Sequence, residues 1–131
     1  MTYRVLVTDY AWPTLDIERK VLAAAGAELI VPKTGSEDEL FALAPEADAI
    51  LVNWNGCTAR VIANAPKCRI ITRYGVGVDN IAIDAATERG IIVCNPSQRP
   101  IKRATVNDKP VPARGNEGLL KAAPAVLVLE Y

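Results

Sequence analysis

The chain of 131 residues contains no histidine, and this absence narrows the chemistry open to it. It excludes Ser-His and Cys-His catalytic dyads, and every metal site that needs an imidazole ligand. Histidine is also the commonest general acid and base near neutral pH. Catalysis by this chain alone would therefore depend on carboxylates, lysine, tyrosine or cysteine.

Net charge and long apolar runs are missing as well. Fifteen basic residues cancel fifteen acidic ones, so no overall field attracts nucleic acid or an anionic membrane. No apolar run approaches the roughly 18 residues that a membrane-spanning helix needs, and the start of the chain lacks the layout of a signal peptide. We expect a cytoplasmic protein with no nucleic-acid or membrane partner.

The chain has three cysteines, Cys57, Cys68 and Cys94, without the spacing of metal ligands. An odd number of thiols in a reducing compartment predicts buried or idle side chains and no metal site. Cys57 would be reactive if its pKa were lowered, but no base is adjacent to it in the sequence.

Short β-branched runs alternate with amphipathic segments along the first 96 residues. Gly26 is expected to end the first helix, Ser36 and Glu39 to open the second through a capping box, and Asp84 to cap the fourth. Such alternation implies right-handed crossovers and parallel strands. It predicts an α/β fold, a flavodoxin-like doubly wound five-stranded parallel sheet of order 2-1-3-4-5. The predicted strands are residues 4–8, 28–31, 49–53, 69–72 and 91–94; the predicted helices are residues 15–25, 37–43, 58–64 and 85–89.

The pattern changes after residue 96. Residues 97–118 are rich in Pro, Lys and Arg, and Pro100, Pro110 and Pro112 predict a linker without regular elements, in an irregular C-terminal tail. Residues 119–131 return to an apolar pattern that suits a short helical turn and a strand. We expect residues 1–96 to form one domain. We expect the apolar tail to dock on it, as an added edge strand or by exchange within a homodimer.

The most informative segment runs from Arg73 to Asn80, between two strand-like runs. Gly75 and Gly77 let the turn tighten and bring its backbone N–H groups close to another molecule. The segment begins like a dinucleotide-binding fingerprint, but Asn80 stands where the third glycine belongs and only a short helix follows. As a nucleotide-binding signal it is weak.

The segment belongs to a longer pattern that resembles a known family. Residues 72–81, 84–91 and 93–95 are similar to the NAD-dependent D-isomer-specific 2-hydroxyacid dehydrogenases, and residues 49–54, 58–62 and 65–69 fit the same pattern. The phosphoglycerate dehydrogenases and the C-terminal-binding-protein-like branch are the nearest in character. The resemblance covers residues 4–96 and stops after Pro96. The family's second G-x-G-x-x-G is not found in this sequence, nor are its catalytic Arg, Glu and His.

The resemblance implies a substrate site around the glycine turn, residues Tyr74, Gly75, Val76 and Gly77. Backbone N–H groups at Val76 and Gly77 would hold the substrate carboxylate, and Val76 would also approach the nicotinamide of the cofactor. Successive N–H groups in a glycine turn do form an anion-binding concavity. The alternative is a tight turn between a strand and a helix that binds no ligand.

A second part of the implied site follows the third strand. Asn53 can hydrogen-bond a carboxylate or hydroxyl, and Trp54 can wall the pocket or merely cover the sheet edge. Many phosphoglycerate dehydrogenases carry a cation beside this point, whereas this chain has Val52, which makes phosphorylated substrates a poorer fit. Arg73 and Asp79 are expected to pin the turn by hydrogen bonds or a mutual salt bridge.

Two functions remain open. The chain is either the substrate-binding portion of an NAD-dependent D-2-hydroxyacid dehydrogenase, inactive alone, or a stand-alone carboxylate-binding or interaction module without redox activity. No catalytic residue is assigned, NAD is expected only in the full-length family, and the partner would be a small 2-oxo or 2-hydroxy acid. A phosphoacceptor domain is disfavoured, because Asn53 stands where such a domain needs aspartate.

Overall fold

The structure is a computed structural model that describes residues 2–75 and 77–94, and five short strands between residues 103 and 130. Its first part alternates five strands with four α-helices. In chain order the elements are β1 (Tyr3–Val7), α1 (Asp16–Ala24), β2 (Ala27–Ile30), α2 (Glu37–Leu43), a 3₁₀ turn (Ala44–Glu46), β3 (Ala49–Val52), α3 (Ala59–Ala63), β4 (Ile70–Arg73), α4 (Ile83–Glu88) and β5 (Ile92–Cys94).

The five strands form one sheet in the order β2-β1-β3-β4-β5. Every neighbouring pair is parallel. The predicted class, strand number and order are therefore confirmed. β3 lies at the centre, so the carboxyl ends of β1, β3 and β4 are adjacent at one edge of the sheet. None of the helices in the described part of the chain is long and apolar enough to cross a membrane.

Helix ends follow the local sequence, with one exception. The Ser36 hydroxyl accepts from the backbone N–H of Glu39 at 3.3 Å, so the predicted start of α2 is confirmed. Gly26 follows α1 with a φ of +74°, as expected of a glycine that ends a helix. The predicted cap by Asp84 is wrong, because α4 begins at Ile83 after Ala82. The backbone N–H of Ala82 donates to Cys57, which fixes the chain there and places Asp84 within the first turn.

The core lies between the sheet and the row of helices α2, α3 and α4. Ile50, Val52 and Ile71 from the central strands are fully buried, and so are Val61 and Ile62 from α3. Helix α1 packs against β2 but buries none of its own residues. The domain therefore covers its sheet unevenly.

The structure places five further strands after residue 96: β6 (Arg103–Val106), β7 (Lys109–Val111), β8 (Ala113–Arg114), β9 (Glu117–Gly118) and β10 (Leu127–Glu130). β10, β6 and β7 form an antiparallel sheet, and β8 pairs with β9. The prediction of a linker without regular elements is wrong for these residues. Pro110 fits because β7 is an edge strand, where a missing N–H is tolerated. Pro100 and Pro112 lie outside the described residues.

The apolar tail contains a strand, as predicted, but not in the predicted sheet. β10 pairs with β6, in a register that sets Leu127 opposite Val106 and Glu130 opposite Arg103. The expectation that it extends the five-stranded sheet as an edge strand of its own subunit is wrong, because β6 supplies an antiparallel partner. Exchange of the tail between subunits stays a prediction. The helical turn predicted for residues 119–124 lies outside the described residues.

Candidate functional site

Polar residues follow the three adjacent strands β1, β3 and β4 at their carboxyl ends. Thr8 and Asp9 follow β1, Asn53 and Trp54 follow β3, and Tyr74 follows β4. Ligands of doubly wound sheets bind at this edge. The structure thus brings the predicted residues after β3 and β4 together, and adds the residues after β1.

The loop after β3, residues 53–55, is held from one side by the carboxylate of Asp9. Asp9 Oδ1 accepts from the backbone N–H of Asn55 at 2.9 Å and of Trp54 at 3.1 Å. It also accepts from the Thr8 hydroxyl at 2.8 Å, while Thr8 Oγ1 itself accepts from the N–H of Asn53 at 3.2 Å. The N–H groups of all three loop residues are therefore bound by the end of β1.

The same loop is held from the other side by Asn80. Its Nδ2 lies 3.0 Å from the carbonyl oxygen of Asn53, 3.2 Å from that of Trp54 and 3.4 Å from that of Asn55. A carboxylate thus accepts from the N–H groups while an amide donates to the carbonyls. The backbone of this loop is therefore held on both sides by neighbouring residues. The Trp54 side chain is 71% exposed to solvent.

Arg73 joins this loop to the glycine turn. Its Nε donates to the carbonyl of Asn53 at 3.1 Å, and its Nη1 donates to the carbonyl of Gly77 at 3.0 Å. Gly77 has a φ of +94°, a conformation that glycine adopts without strain. The predicted role of Arg73 in pinning the turn is confirmed, and its ion pair with Asp79 stays a prediction.

The guanidinium also lies close under the turn itself. A Cβ built on Gly75 would lie 3.8 Å from Cζ of Arg73, and one built on Gly77 would lie 3.5 Å from Nη1. A positive charge thus stands beside the backbone that the sequence predicts to bind a carboxylate. Val76, the predicted N–H donor and cofactor contact, lies outside the described residues.

Aromatic side chains line the same edge. Trp12 packs edge-on against Tyr74, with ring centroids 4.6 Å apart, and Tyr10 lies 6.3 Å from Trp12. The Tyr74 hydroxyl donates to Glu18 of α1 at 3.1 Å. Burial, and then the negative charge of Glu18, raise the pKa of Tyr74 well above its usual value. Tyr74 is therefore a neutral hydrogen-bond donor that fixes the start of the turn.

The loop after β2, residues 33–35, binds the carboxylate of Glu39. Glu39 accepts from the Thr34 hydroxyl at 2.6 Å and from the backbone N–H groups of Lys33, Thr34 and Gly35 at 2.6, 2.7 and 3.0 Å. The hydroxyl bond of Thr34, followed by the backbone bonds, lowers the pKa of Glu39 to about 2.

A hollow of about 320 Å³ adjoins this loop and Asp9. A larger one, about 600 Å³, lies at the opposite edge between Lys67 and Arg89, away from the glycine turn.

The thiols take no part in this arrangement. Cys57 and Cys68 are buried, as predicted, and Cys94 is half-buried. Burial raises the pKa of Cys57 to about 12 and that of Cys68 to about 11, so both are protonated thiols at neutral pH. Within residues 2–75 and 77–94, no three side chains of Cys, Asp or Glu are grouped to hold a metal ion.

Sequence reasoning missed Asp9 and Asn80 as members of the site. In the sequence, Asp9 suggested only the alternative of a phosphoacceptor domain, whose phosphorylated residue would stand at the position of Asn53, and Asn80 stood only where a third glycine was missing. Their positions carried a signal nonetheless. Asp9 follows the strand that neighbours β3, and a short polar side chain at that point can reach the next loop.

Comparison with known proteins gives the family of this chain. Residues 5–101 match the family described as D-isomer specific 2-hydroxyacid dehydrogenase, catalytic domain. The D-3-phosphoglycerate dehydrogenase of Mycobacterium tuberculosis is 52% identical over 59 residues, which are 44% of this chain and 11% of that protein. That of Methanocaldococcus jannaschii is 41% identical over 93 residues, 70% of this chain and 17% of that protein.

A solved structure shows the same fold. The NAD+-bound 3-phosphoglycerate dehydrogenase of Entamoeba histolytica superposes with a TM-score of 0.66 at 25% identity, over 72% of this chain and 33% of that one. The matched segment is thus between 11% and 17% of the two curated relatives and about a third of the solved chain. More than half of the sequence matches the family, and its sheet has the family's architecture. The chain therefore belongs to the D-isomer-specific 2-hydroxyacid dehydrogenase family.

Proposed function

We propose that this chain is the substrate-binding portion of an NAD-dependent dehydrogenase for 2-oxo and 2-hydroxy acids. The observation that supports this most is the Arg73 bridge. One guanidinium contacts both the loop that begins at Asn53 and the turn that ends at Gly77. A carboxylate bound at the turn would meet the nearby positive charge of Arg73. Asn53, which is buried and donates from Nδ2 to Asp9 at 3.4 Å, would lie at the start of the adjoining loop.

The cofactor has to be held elsewhere. The described residues contain one G-x-G turn, and the helix after it, α4, has six residues. That is too short to present the helix terminus on which a dinucleotide pyrophosphate rests, so the residues present do not fit NAD. When bound by a second part of such an enzyme, the nicotinamide would accept or supply the hydride at carbon 2 of the acid. This chain would bind and orient the acid.

Two titrations test the proposal. Pyruvate and glyoxylate should bind with millimolar affinity, about −4 kcal/mol, because a small acid can make only a few polar contacts at an exposed edge of the sheet. Amide chemical shifts should change at residues 74–78 and 53–55. NADH should show no binding tighter than about 10 μM by calorimetry or fluorescence. Shift changes confined to the basic residues 99–114 would contradict the proposed site.

The alternative is a module that binds carboxylates without any redox role. It is favoured by the same lack of fit for NAD and predicts the same binding by the chain alone. Adding a cofactor-binding domain from a family relative distinguishes the two. Turnover of NADH with a 2-oxo acid in the mixture, lost in an Arg73→Leu variant, would support the enzyme. No turnover despite complex formation would support the module.

We also propose that the chain forms a homodimer. Ile17 and Val21 on α1 are 78% and 63% exposed, and Ile70 on β4 is 36% exposed. Ile17 and Val21 are four residues apart and so share one face of α1, and an exposed apolar face of this kind is a candidate contact for a second copy of the chain. Sedimentation should give about twice the monomer mass, and an Ile17→Lys/Val21→Lys variant should sediment as a monomer. A monomeric parent chain would contradict the proposal.

A further inference from the structure

The amino ends of three neighbouring strands border the larger hollow, of about 600 Å³. The carbonyl of Asp48, just before β3, accepts from the N–H of Arg69 at 3.0 Å, and the carbonyl of Arg69 accepts from the N–H of Ile92 at 3.0 Å. These bonds fix the starts of β3, β4 and β5 side by side. The hollow therefore lies at the edge of the sheet opposite the proposed 2-oxo acid site.

The hollow is lined by three cationic residues, Lys67, Arg69 and Arg89. Lys67 lies in the turn before β4, which the N–H of Cys68 closes by donating to the carbonyl of Ala65 at 3.1 Å. Arg89 follows α4, and its Nη1 donates to the carbonyl of Ala63 at 3.2 Å. Folding thus brings cations from the segments before β4 and after α4 to one concave surface.

Positive charge exceeds negative charge around the hollow. Of the described residues that line it, Asp48 is the only carboxylate, and its Oδ2 accepts from the backbone N–H of Arg4 at 2.8 Å. The ion pairs within the described residues involve Arg4 and Arg60, so the three cations of the hollow have no carboxylate partner there. A concave surface with an excess of one sign concentrates ions of the opposite sign.

The helix ends at this edge do not cancel that charge. Helices α3 and α4 end beside the hollow, and the carbonyl end of a helix repels anions. Both helices are short, with five and six residues. The carbonyl of Ala63 accepts from Arg89, and those of Ala86 and Thr87 accept from the N–H groups of Ile91 at 2.9 Å and Gly90 at 3.0 Å. These terminal carbonyls are therefore already hydrogen-bonded.

The size and lining of the hollow favour a small organic molecule that carries a phosphate. Sites for small molecules enclose about 300–1,000 Å³, so this hollow is larger than a bare ion needs. An arginine guanidinium matches the oxygens of a phosphate, and lysine binds phosphate as a point charge. Pro66 and Ile92 give the same hollow an apolar side.

We propose that this hollow is a second binding site, for a small molecule that carries a phosphate group. The phosphate contacts the cations of Lys67, Arg69 and Arg89, and the organic part contacts Pro66 and Ile92. This site is independent of the proposed function, because it lies at the other end of the strands and its ligand needs no carboxylate.

Glycerol 3-phosphate, inorganic phosphate and glycerol test the proposal on the full chain, by ¹H–¹⁵N NMR at pH 7.5 and low ionic strength. Glycerol 3-phosphate should bind with a dissociation constant on the order of 1 mM and shift the amides of residues 67–69 and 89–92. Inorganic phosphate should bind about fourfold more weakly, as expected if the burial of one CH₂ group is lost. Glycerol should not bind, and added salt should weaken both anions.

Matched variants separate the site from general charge attraction. Lys67→Ala should weaken glycerol 3-phosphate about fivefold, the effect of one unit charge at about 4 Å in water-like screening. Lys20→Ala removes an exposed lysine from α1, which packs against β2, and should keep the parent affinity. Because Lys67 is exposed as well, the spectrum of its variant should match the parent spectrum away from residues 66–68. Arg69→Ala, a second variant, should weaken binding to the same degree.

Four results would overturn the proposal. These are equal weakening by Lys67→Ala and Lys20→Ala, shifts confined to residues 33–35 or 73–75, equal affinities for glycerol and glycerol 3-phosphate, and no binding up to about 20 mM. Equal affinities for the two phosphates would overturn the contact with the organic part and leave a site for the ion. The proposed function stands or falls separately, on the titrations with pyruvate and glyoxylate.

Discussion

Replacing Asp9 by alanine should destabilise the domain by roughly 2–3 kcal/mol. The carboxylate accepts three close hydrogen bonds, from the Thr8 hydroxyl, the Asn55 N–H and the Trp54 N–H. A hydrogen bond to a charged group contributes about 1.5–3 kcal/mol, and an unmet buried donor costs about 1–3 kcal/mol. Water can replace Asp9 at the exposed Trp54 N–H. It cannot do so at Thr8, which is fully buried.

Urea denaturation at pH 7 followed by circular dichroism measures this change. Asp9→Asn should lose less than Asp9→Ala, since its remaining oxygen still accepts one or two of the bonds. Glu88→Ala on α4 is the matched control, because Glu88 is exposed and should change the free energy of unfolding by about 0.5 kcal/mol or less. If Asp9→Ala costs no more than this control, the carboxylate does not hold the loop.

Three further changes test other parts of the site. Gly77→Ala should cost about 1–2 kcal/mol in unfolding free energy, because Gly77 has a φ of +94°, whereas Gly75→Ala should be tolerated, since its new methyl would meet nothing nearer than 3.8 Å. Glu39→Gln should destabilise the domain at pH 7. The lowered pKa of Glu39 means that its contribution is complete above about pH 4.5 and is lost as the pH falls toward about 2, so pH-dependent unfolding curves of the two proteins should converge in that window. Maleimide labelling of the native chain at pH 7.5 should leave Cys57 unmodified until urea is added, because its thiol is buried and has a pKa of about 12. Half-buried Cys94 should react first. Rapid labelling of Cys57 would contradict its burial.

The sheet could be predicted from the sequence because the patterns that indicate its strands and helices are local. Short β-branched runs, the Ser36 cap and the Gly26 terminus each depend on a few neighbouring residues, and the order of parallel strands follows from right-handed crossovers. The start of α4 was not accessible in this way. It depends on the hydrogen bond between the N–H of Ala82 and the carbonyl of Cys57, 25 residues earlier.

In the candidate site, too, local sequence patterns predict some features and not others. The glycine turn is visible in the sequence because Gly75 and Gly77 stand between two strand-like runs. The hydrogen bonds of Asp9 and Asn80 join residues 45 and 26 positions apart, and no local pattern records them. Glu39 shows the same limit. The capping box predicts its position, but the carboxylate binds the N–H groups of residues 33–35, and the N–H of Ser36 donates to the Thr34 hydroxyl instead.

Arg73 couples the loop after β3 to the glycine turn. Because one planar guanidinium contacts carbonyls on both loops, neither loop can shift by an ångström without bending or breaking a bond on the other. We therefore expect the two loops to shift together. A substitution that displaces one of them, even far from any bound acid, would be felt by the other. Attempts to regraft either loop from a relative should accordingly transplant Arg73 and both loops together.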